Sequence, residues 1–192
     1  MRKFLLFAVL ALVATVPAFA QGASTWQIDP AHTNAQFVVR HLGISNVQGD
    51  FTKVSGRISL DDADITKSNV TATIDINSVD TRVTNRDNDL KSPNFFDAAK
   101  FPTMTFQSKK FLRGADGKIQ MTGDLTLRGV TKEITFIVDG PSEAIKDPWG
   151  NTRRGASATT TIRRSDFGIT KYPATVIGED IAITLDVEFI KK

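Results

Sequence analysis

Apolar and polar residues alternate with period two along most of the chain. Ile181, Ile183, Leu185, Val187 and Phe189 share one face, and Thr184, Asp186 and Glu188 share the other. Val70, Ala72, Ile74 and Ile76 alternate with Thr71, Thr73 and Asp75 in the same way. Ile119, Met121, Gly123, Leu125 and Leu127 do so against Gln120, Thr122, Asp124 and Thr126. This period, with one polar face, predicts half-buried antiparallel strands. Further segments at 25–29, 35–42, 56–61, 103–111, 133–139 and 155–163 bring the prediction to about nine strands. Turn-forming residues separate them at Asp61-Asp62-Ala63-Asp64, Gly114-Ala115-Asp116-Gly117, Arg128-Gly129 and Asp147-Pro148-Trp149-Gly150. Short links between many strands predict one all-β domain, a closed barrel or a sandwich.

Residues 80–102 break the alternation. Thr84-Asn85-Arg86-Asp87 reads as a helix start, with an N-cap and an acid in the first turn, and Ser92-Pro93 stops the helix after Leu90. Phe95, Phe96 and Phe101 follow. Adjacent aromatics are costly to expose, so this connection is expected to plug one end of the barrel as a lid.

The N-terminus has a different pattern. Arg2 and Lys3 precede an unbroken apolar run from Phe4 to Ala14, and Ala18-Phe19-Ala20 has the small-x-small form of a signal-peptidase site. Eleven apolar residues are too few to span about 30 Å of hydrocarbon. Residues 1–20 are therefore expected to be a cleaved secretory signal, leaving a soluble periplasmic or secreted domain over 21–192 with no transmembrane anchor. That remainder carries 22 Lys+Arg against 21 Asp+Glu, once Arg2 and Lys3 are removed from the total. Its cation pairs, such as Lys109-Lys110 and Arg163-Arg164, are interspersed with acids, so no concentrated basic surface for nucleic acid is expected. Thr, Ile and Val make up 48 of these 172 residues, which reinforces the strand prediction.

Composition removes much chemistry. With no Cys there is no disulfide, thiolate metal site or Cys nucleophile. No G-x-S-x-G elbow occurs, and the two His, His32 and His41, both lie near the start of the chain. The acidic runs at 61–64 and 87–89 lack the Gly and Glu of a calcium loop. No catalytic residue, metal or cofactor is therefore assigned. What remains is the inward face: Phe37, Val39, Ile74, Ile76, Phe106, Leu125, Phe136, Ile183 and Leu185, with small residues Ala72, Gly123, Ala156 and Ala158 among them. About eight strands enclose either a filled core or room for one small ligand, and the pattern alone leaves both open.

Longer motifs carry a resemblance. Trp26-Gln27-Ile28-Asp29-Pro30-Ala31-His32-Thr33 is followed by Phe37-Val38-Val39-Arg40-His41-Leu42 and Gly49-Asp50-Phe51. Then come Ser78-Val79-Asp80-Thr81, Arg86-Asp87, Leu90-Lys91-Ser92, Phe95-Phe96-Asp97 and Phe101-Pro102. Gly123-Asp124-Leu125-Thr126-Leu127-Arg128-Gly129-Val130-Thr131 and Arg164-Ser165-Asp166-Phe167-Gly168-Ile169 complete the series. In this order the chain resembles the YceI-like polyisoprenoid-binding family of exported, lipocalin-like proteins. Pro93 stands where that pattern usually has no proline.

The resemblance implies an antiparallel eight-stranded lipocalin-like barrel with a short helical lid segment. It implies a binding protein without enzymatic activity, holding a polyisoprenoid, an isoprenoid quinone or a similar long-chain lipid as carrier, storage or scavenger. The lipid pocket is then expected at Phe37, Val39, Phe51, Ala72, Ile74 and Ile76, at Phe95, Phe96, Phe106 and Gly123, and at Leu125, Phe136, Ala158, Ile183 and Leu185. Head-group candidates are His41, Arg86, Asp87, Arg164 and Asp166. Alternatives are a lipid-modifying enzyme using His41 in the same pocket, or an envelope stress or scaffold protein with a filled barrel. A homodimer is left open.

Overall fold

The computed structural model of the chain describes residues 22–192; the expected signal, residues 1–20, lies outside them. The strands are β1 (Ser24–Ile28), β2 (Asn34–His41), β3 (Ser45–Phe51), β4 (Val54–Leu60), β5 (Asn69–Asp75) and β6 (Val79–Asp80). After helix α1 (Thr84–Lys91) come β7 (Thr103–Arg113), β8 (Ile119–Leu127), β9 (Val130–Asp139), β10 (Ile145–Lys146), β11 (Thr152–Arg163) and β12 (Ile177–Lys191). β1 and β2 are two limbs of one strand. Pro30 opens a 3-10 turn between them, and the Asp29 carboxylate caps it by accepting the Ala31 N–H at 3.1 Å. Only Thr52 and Lys53 part β3 from β4.

With those limbs joined, eight antiparallel staves close on themselves in the order β1/β2, β3/β4, β5, β7, β8, β9, β11, β12. β12 completes the ring. One of its edges pairs with β11 from Asp180 to Ile190, and the other is shared between β2 and β1. This is the barrel expected from the resemblance, and closure removes the open edges of a sandwich.

Three strands escape the alternation rule: β3, β6 and β10. In β3 the inward position between Val47 and Phe51 is Gly49, and a Cβ there would run into the Phe37 ring. The strand gives up its apolar side chain because its neighbour fills the space, so its period is hidden.

The barrel has two unlike ends. At the end where β1 and β11 start and β4 and β12 finish, Trp26, Leu60 and Phe189 form a separate buried cluster. Trp26 and Phe189 meet edge to face with centroids 5.4 Å apart, and the Arg154 guanidinium lies 5.4 Å from the Trp26 ring. At the other end, α1 and the residues after it lie over the opening. Helix α1 buries none of its residues. Its start differs from the sequence prediction: Val83 is the N-cap, without a side-chain cap bond, and Thr84 is already helical. The clasp is made instead by Asp87, which accepts from the Thr81 N–H at 2.8 Å and its hydroxyl at 2.6 Å.

Candidate ligand cavity

A cavity of about 260 Å³ runs inside the barrel. Its wall is built from inward positions of every stave, and its few polar members are Thr33, Gln36, Ser68, Thr105 and Arg164. Ser68 is turned to structure, since its hydroxyl accepts the Asp61 N–H at 3.1 Å. Phe106 and Phe136 stand edge to face across the wall, centroids 5.3 Å apart.

Of the expected pocket residues, Phe37, Val39, Phe51, Ala72, Ile74, Phe95, Phe96, Phe106, Leu125, Phe136, Ala158, Ile183 and Leu185 line this cavity. Two do not. Ile76 leaves the strand pattern at a 3-10 turn and is wholly buried in the core beside it. Gly123 is a packing glycine: a Cβ there would meet the Gln107 carbonyl oxygen and the Phe106 ring, where β7 shifts register between Ser108 and Lys110. Its small size admits a neighbouring strand and leaves no room for a ligand.

The lid is held by its own backbone. The Phe96 N–H donates to Leu90 O and the Ala98 N–H to Lys91 O, both at 2.9 Å, folding the chain back on the helix. Leu90, Phe95 and Phe96 thereby reach the cavity. Phe96 meets Phe51 and Phe95 meets Tyr172, each pair with centroids 5.7 Å apart. Arg128 latches this segment from across the opening. Its Nη1 donates to Gly168 O at 2.9 Å and its Nη2 to Pro93 O at 3.1 Å. Sequence reasoning placed Arg128 in a turn and in one of the resemblance motifs and gave it no role; in the structure it stands at a positive φ of 52° beside the lid.

The head-group candidates are not gathered at one mouth. His41 ends β2 opposite Ser45 and Ile177 and is not part of the cavity wall. Arg86 donates to the Thr81 hydroxyl and carbonyl, both at 2.8 Å, so it and Asp87 spend their polar atoms on the start of α1. Arg164 lines the cavity but is buried with its guanidinium on four carbonyls, those of Gly178, Ile169, Tyr172 and Ile177, and on Glu179 at 2.7 Å. Hydrogen bonding from Ser165, then the Arg164 charge, holds the Glu179 carboxyl below its usual range. Asp166 sits in the 3-10 turn Arg164–Phe167 and is not in the cavity wall.

Near the plugged end, Asp29, His32 and Glu188 bring ligand-type atoms within 4.8 Å of one another. A cation is already there: Arg153 Nη1 lies 2.5 Å from Asp29 and 3.2 Å from Glu188, and its Nε lies 2.6 Å from Asp147. The Arg153 bond and the His32 bond lower the Asp29 carboxyl to about 2. Burial opposes the shift at Asp147, but bonds from Arg153 and Asn151 also bring it to about 2. This network is a staple between β1, β12 and the β10–β11 turn, and the guanidinium does the work a metal would do.

Comparison with known proteins accords with this architecture. The family model of the YceI-like domain matches residues 26–189. A UPF0312 protein of Vibrio vulnificus is 41% identical over 194 residues, covering 100% of both chains. Among solved structures, the Campylobacter jejuni YceI protein superposes with a TM-score of 0.71 at 37% identity, over 80% of this chain and 90% of its own. A polyisoprenoid-binding domain from Saccharophagus degradans superposes with a TM-score of 0.65 over 87% of this chain and 98% of its own; at 17% identity it shares the fold.

Proposed function

The chain belongs to the YceI-like family, and on that premise we propose that residues 21–192 form an exported binding domain that holds a polyisoprenoid or similar long-chain lipid inside the barrel. Its role is that of carrier, store or scavenger, with no reaction of its own. The supporting observation is the cavity of about 260 Å³ whose wall is almost entirely carbon. Such a wall has nothing to offer a polar solute and excludes no flexible hydrocarbon. Each methylene moved from water into it contributes about 0.8 kcal/mol, and a long chain offsets ordering and association costs of roughly 4–15 kcal/mol. Apolar burial is non-directional, so chains of related length should be accepted. The polyisoprenoid-binding domain of the same fold supports this ligand class.

Mass spectrometry of an organic extract tests the reading directly, using protein purified natively from the envelope fraction without detergent. A stoichiometric polyprenyl or quinone species is expected. An extract that stays empty after incubation with such lipids would instead support a scaffold with no cargo. Ala158→Phe provides a second test, because it places a ring in the cavity wall. It should cut lipid uptake far more than it lowers thermal stability; equal losses in both would count against a hollow barrel.

A further inference from the structure

A lipid head group finds no free partner inside the barrel. Among the polar residues of the cavity wall, Ser68 serves the Asp61 N–H, and Gln36 Nε2 reaches Asp50 at 3.4 Å. The Thr33 hydroxyl reaches Glu188 O at 3.5 Å, and Thr105 is exposed. Arg164 is spent on four carbonyls and Glu179. A polar head must therefore be met at the mouth. Arg128 stands there. It follows Leu127 in the chain, its Nη1 bonds the carbonyl of the residue before Ile169, and its Nη2 bonds the carbonyl two residues before Phe95. Leu127, Ile169 and Phe95 all line the cavity, so the guanidinium spans the seam at the edge of its wall.

This guanidinium is only partly used. Each Nη gives one bond to a carbonyl, and the Nε is shut from solvent without a partner. Among the described residues no carboxylate pairs with it. Asp89 gives its Oδ1 to Ser92 and Asn94, and Asp97 and Asp166, the acids nearest in sequence to its two partners, form no ion pair with it. A second cation stands by the same turn: Phe101 lies against Gly129, where a Cβ would meet its ring, and Lys100 Nζ is 5.1 Å from the centroid of that ring. Arg128 and Gly129 have φ of 52° and 73°, the left-handed pair of a two-residue hairpin turn whose first position favours Asn. An arginine held in a conformation that disfavours it, with its charge unmatched at the rim of a carbon-walled cavity, points to something that it binds.

We propose that Arg128 receives an oxyanion head group of the cargo, a phosphate or a carboxylate, while the hydrocarbon chain lies in the cavity. The planar fork of the guanidinium fits two oxygens of either group, and a charge-assisted bond is stronger than a bond to a carbonyl. An incoming head of this kind therefore takes Arg128 from the Pro93 carbonyl. The side chain that latches the empty barrel thus loosens the lid for an anionic lipid and not for a neutral one. This selectivity rests on the lipid-binding reading of the cavity.

The test is the affinity of the natively purified protein for two matched pairs of lipids, read by displacement of a fluorescent polyprenol. One pair is geranylgeranyl phosphate and geranylgeraniol; the other is palmitate and its methyl ester. In at least one pair the charged member should bind about tenfold more tightly than the neutral one, and the pair that shows it names the head group. Arg128→Asn, in which Asn suits the positive φ and keeps the turn, should bring that ratio close to one while the neutral lipid still binds. Arg128→Lys should restore part of the ratio, because it returns the charge without the fork. A latch with no part in head-group binding would change both members of a pair alike and leave the ratio as it was. Equal affinities within both pairs in the parent protein, or an unchanged ratio in Arg128→Asn, would overturn the assignment and leave the cavity reading intact. Loss of the ratio in Arg82→Gln in place of Arg128→Asn would do the same. A parent protein that binds no member of either pair overturns the cavity reading, and the assignment with it.

Discussion

The two ends of the barrel are closed by different means. One is stoppered by residues of the staves themselves: Trp26, Leu60 and Phe189 interlock, Arg154 covers the tryptophan, and Arg153 staples three carboxylates around the rim. The other is closed by a connection that belongs to no stave. No residue of its helix is fully buried, and its hold comes from Leu90 and two phenylalanines, the Asp87 clasp, a few backbone bonds and the reach of Arg128. Opening the first end means breaking the sheet. Opening the second means only shifting a loop. On the proposed reading, stability and ligand exchange fall to opposite ends of one molecule, and substitutions can separate them.

Trp26→Ala should have the largest effect, lowering the free energy of unfolding by about 3–5 kcal/mol in urea titrations. The ratio of lipid release to uptake should change little beside it. Acid acts on the same end. Asp29 and Asp147 titrate at about 2 in the folded chain against an ordinary 3.8, so their pairs add stability above that value. Falling pH removes it as the folded groups take up protons between 3.8 and about 2. Thermal melts across this range should show the loss, and Asp147→Asn should flatten it.

At the lidded end the balance reverses. Phe96→Ala should cost about 1–2 kcal/mol, as a half-buried ring. Its release of a bound fluorescent polyprenol should quicken about tenfold, the factor that about 1.4 kcal/mol carries. Arg128→Ala should cost least, about 0.5–1.5 kcal/mol, and its effect should appear chiefly as faster exchange in stopped-flow measurements. If Arg128→Ala destabilised the fold as much as Trp26→Ala, the contrast between the ends would fail.

What the sequence made legible follows the same division. Long staves announce themselves, because each inward side chain must be apolar and the next must not; β8 and β12 could be read from that alone. β3 could not, because its inward glycine answers to Phe37 on another stave, and such pairwise fitting has no period. The lid was visible as a break in alternation followed by Phe95 and Phe96, yet its clasp on Thr81 and its latch at Arg128 involve residues brought together by the fold. The cavity wall was largely readable, and Gly123 misled because a missing side chain looks the same whether it leaves space or admits a neighbour. The surroundings of the polar candidates were the least legible. Arg86, Asp87 and Arg164 satisfy loop and turn atoms that no linear pattern displays.

The double pairing of β12 also dictates an order of events in time. Asn34, near the beginning of β2, finds its partner at Asp186, and Trp26 finds its own at Lys191. Nearly the whole polypeptide must therefore be synthesised before the first stave can acquire its second neighbour. Until then the nascent chain is at best an open, curling sheet, slow to fold because its decisive contacts are remote in sequence. It becomes a closed vessel only when residues 177–191 arrive.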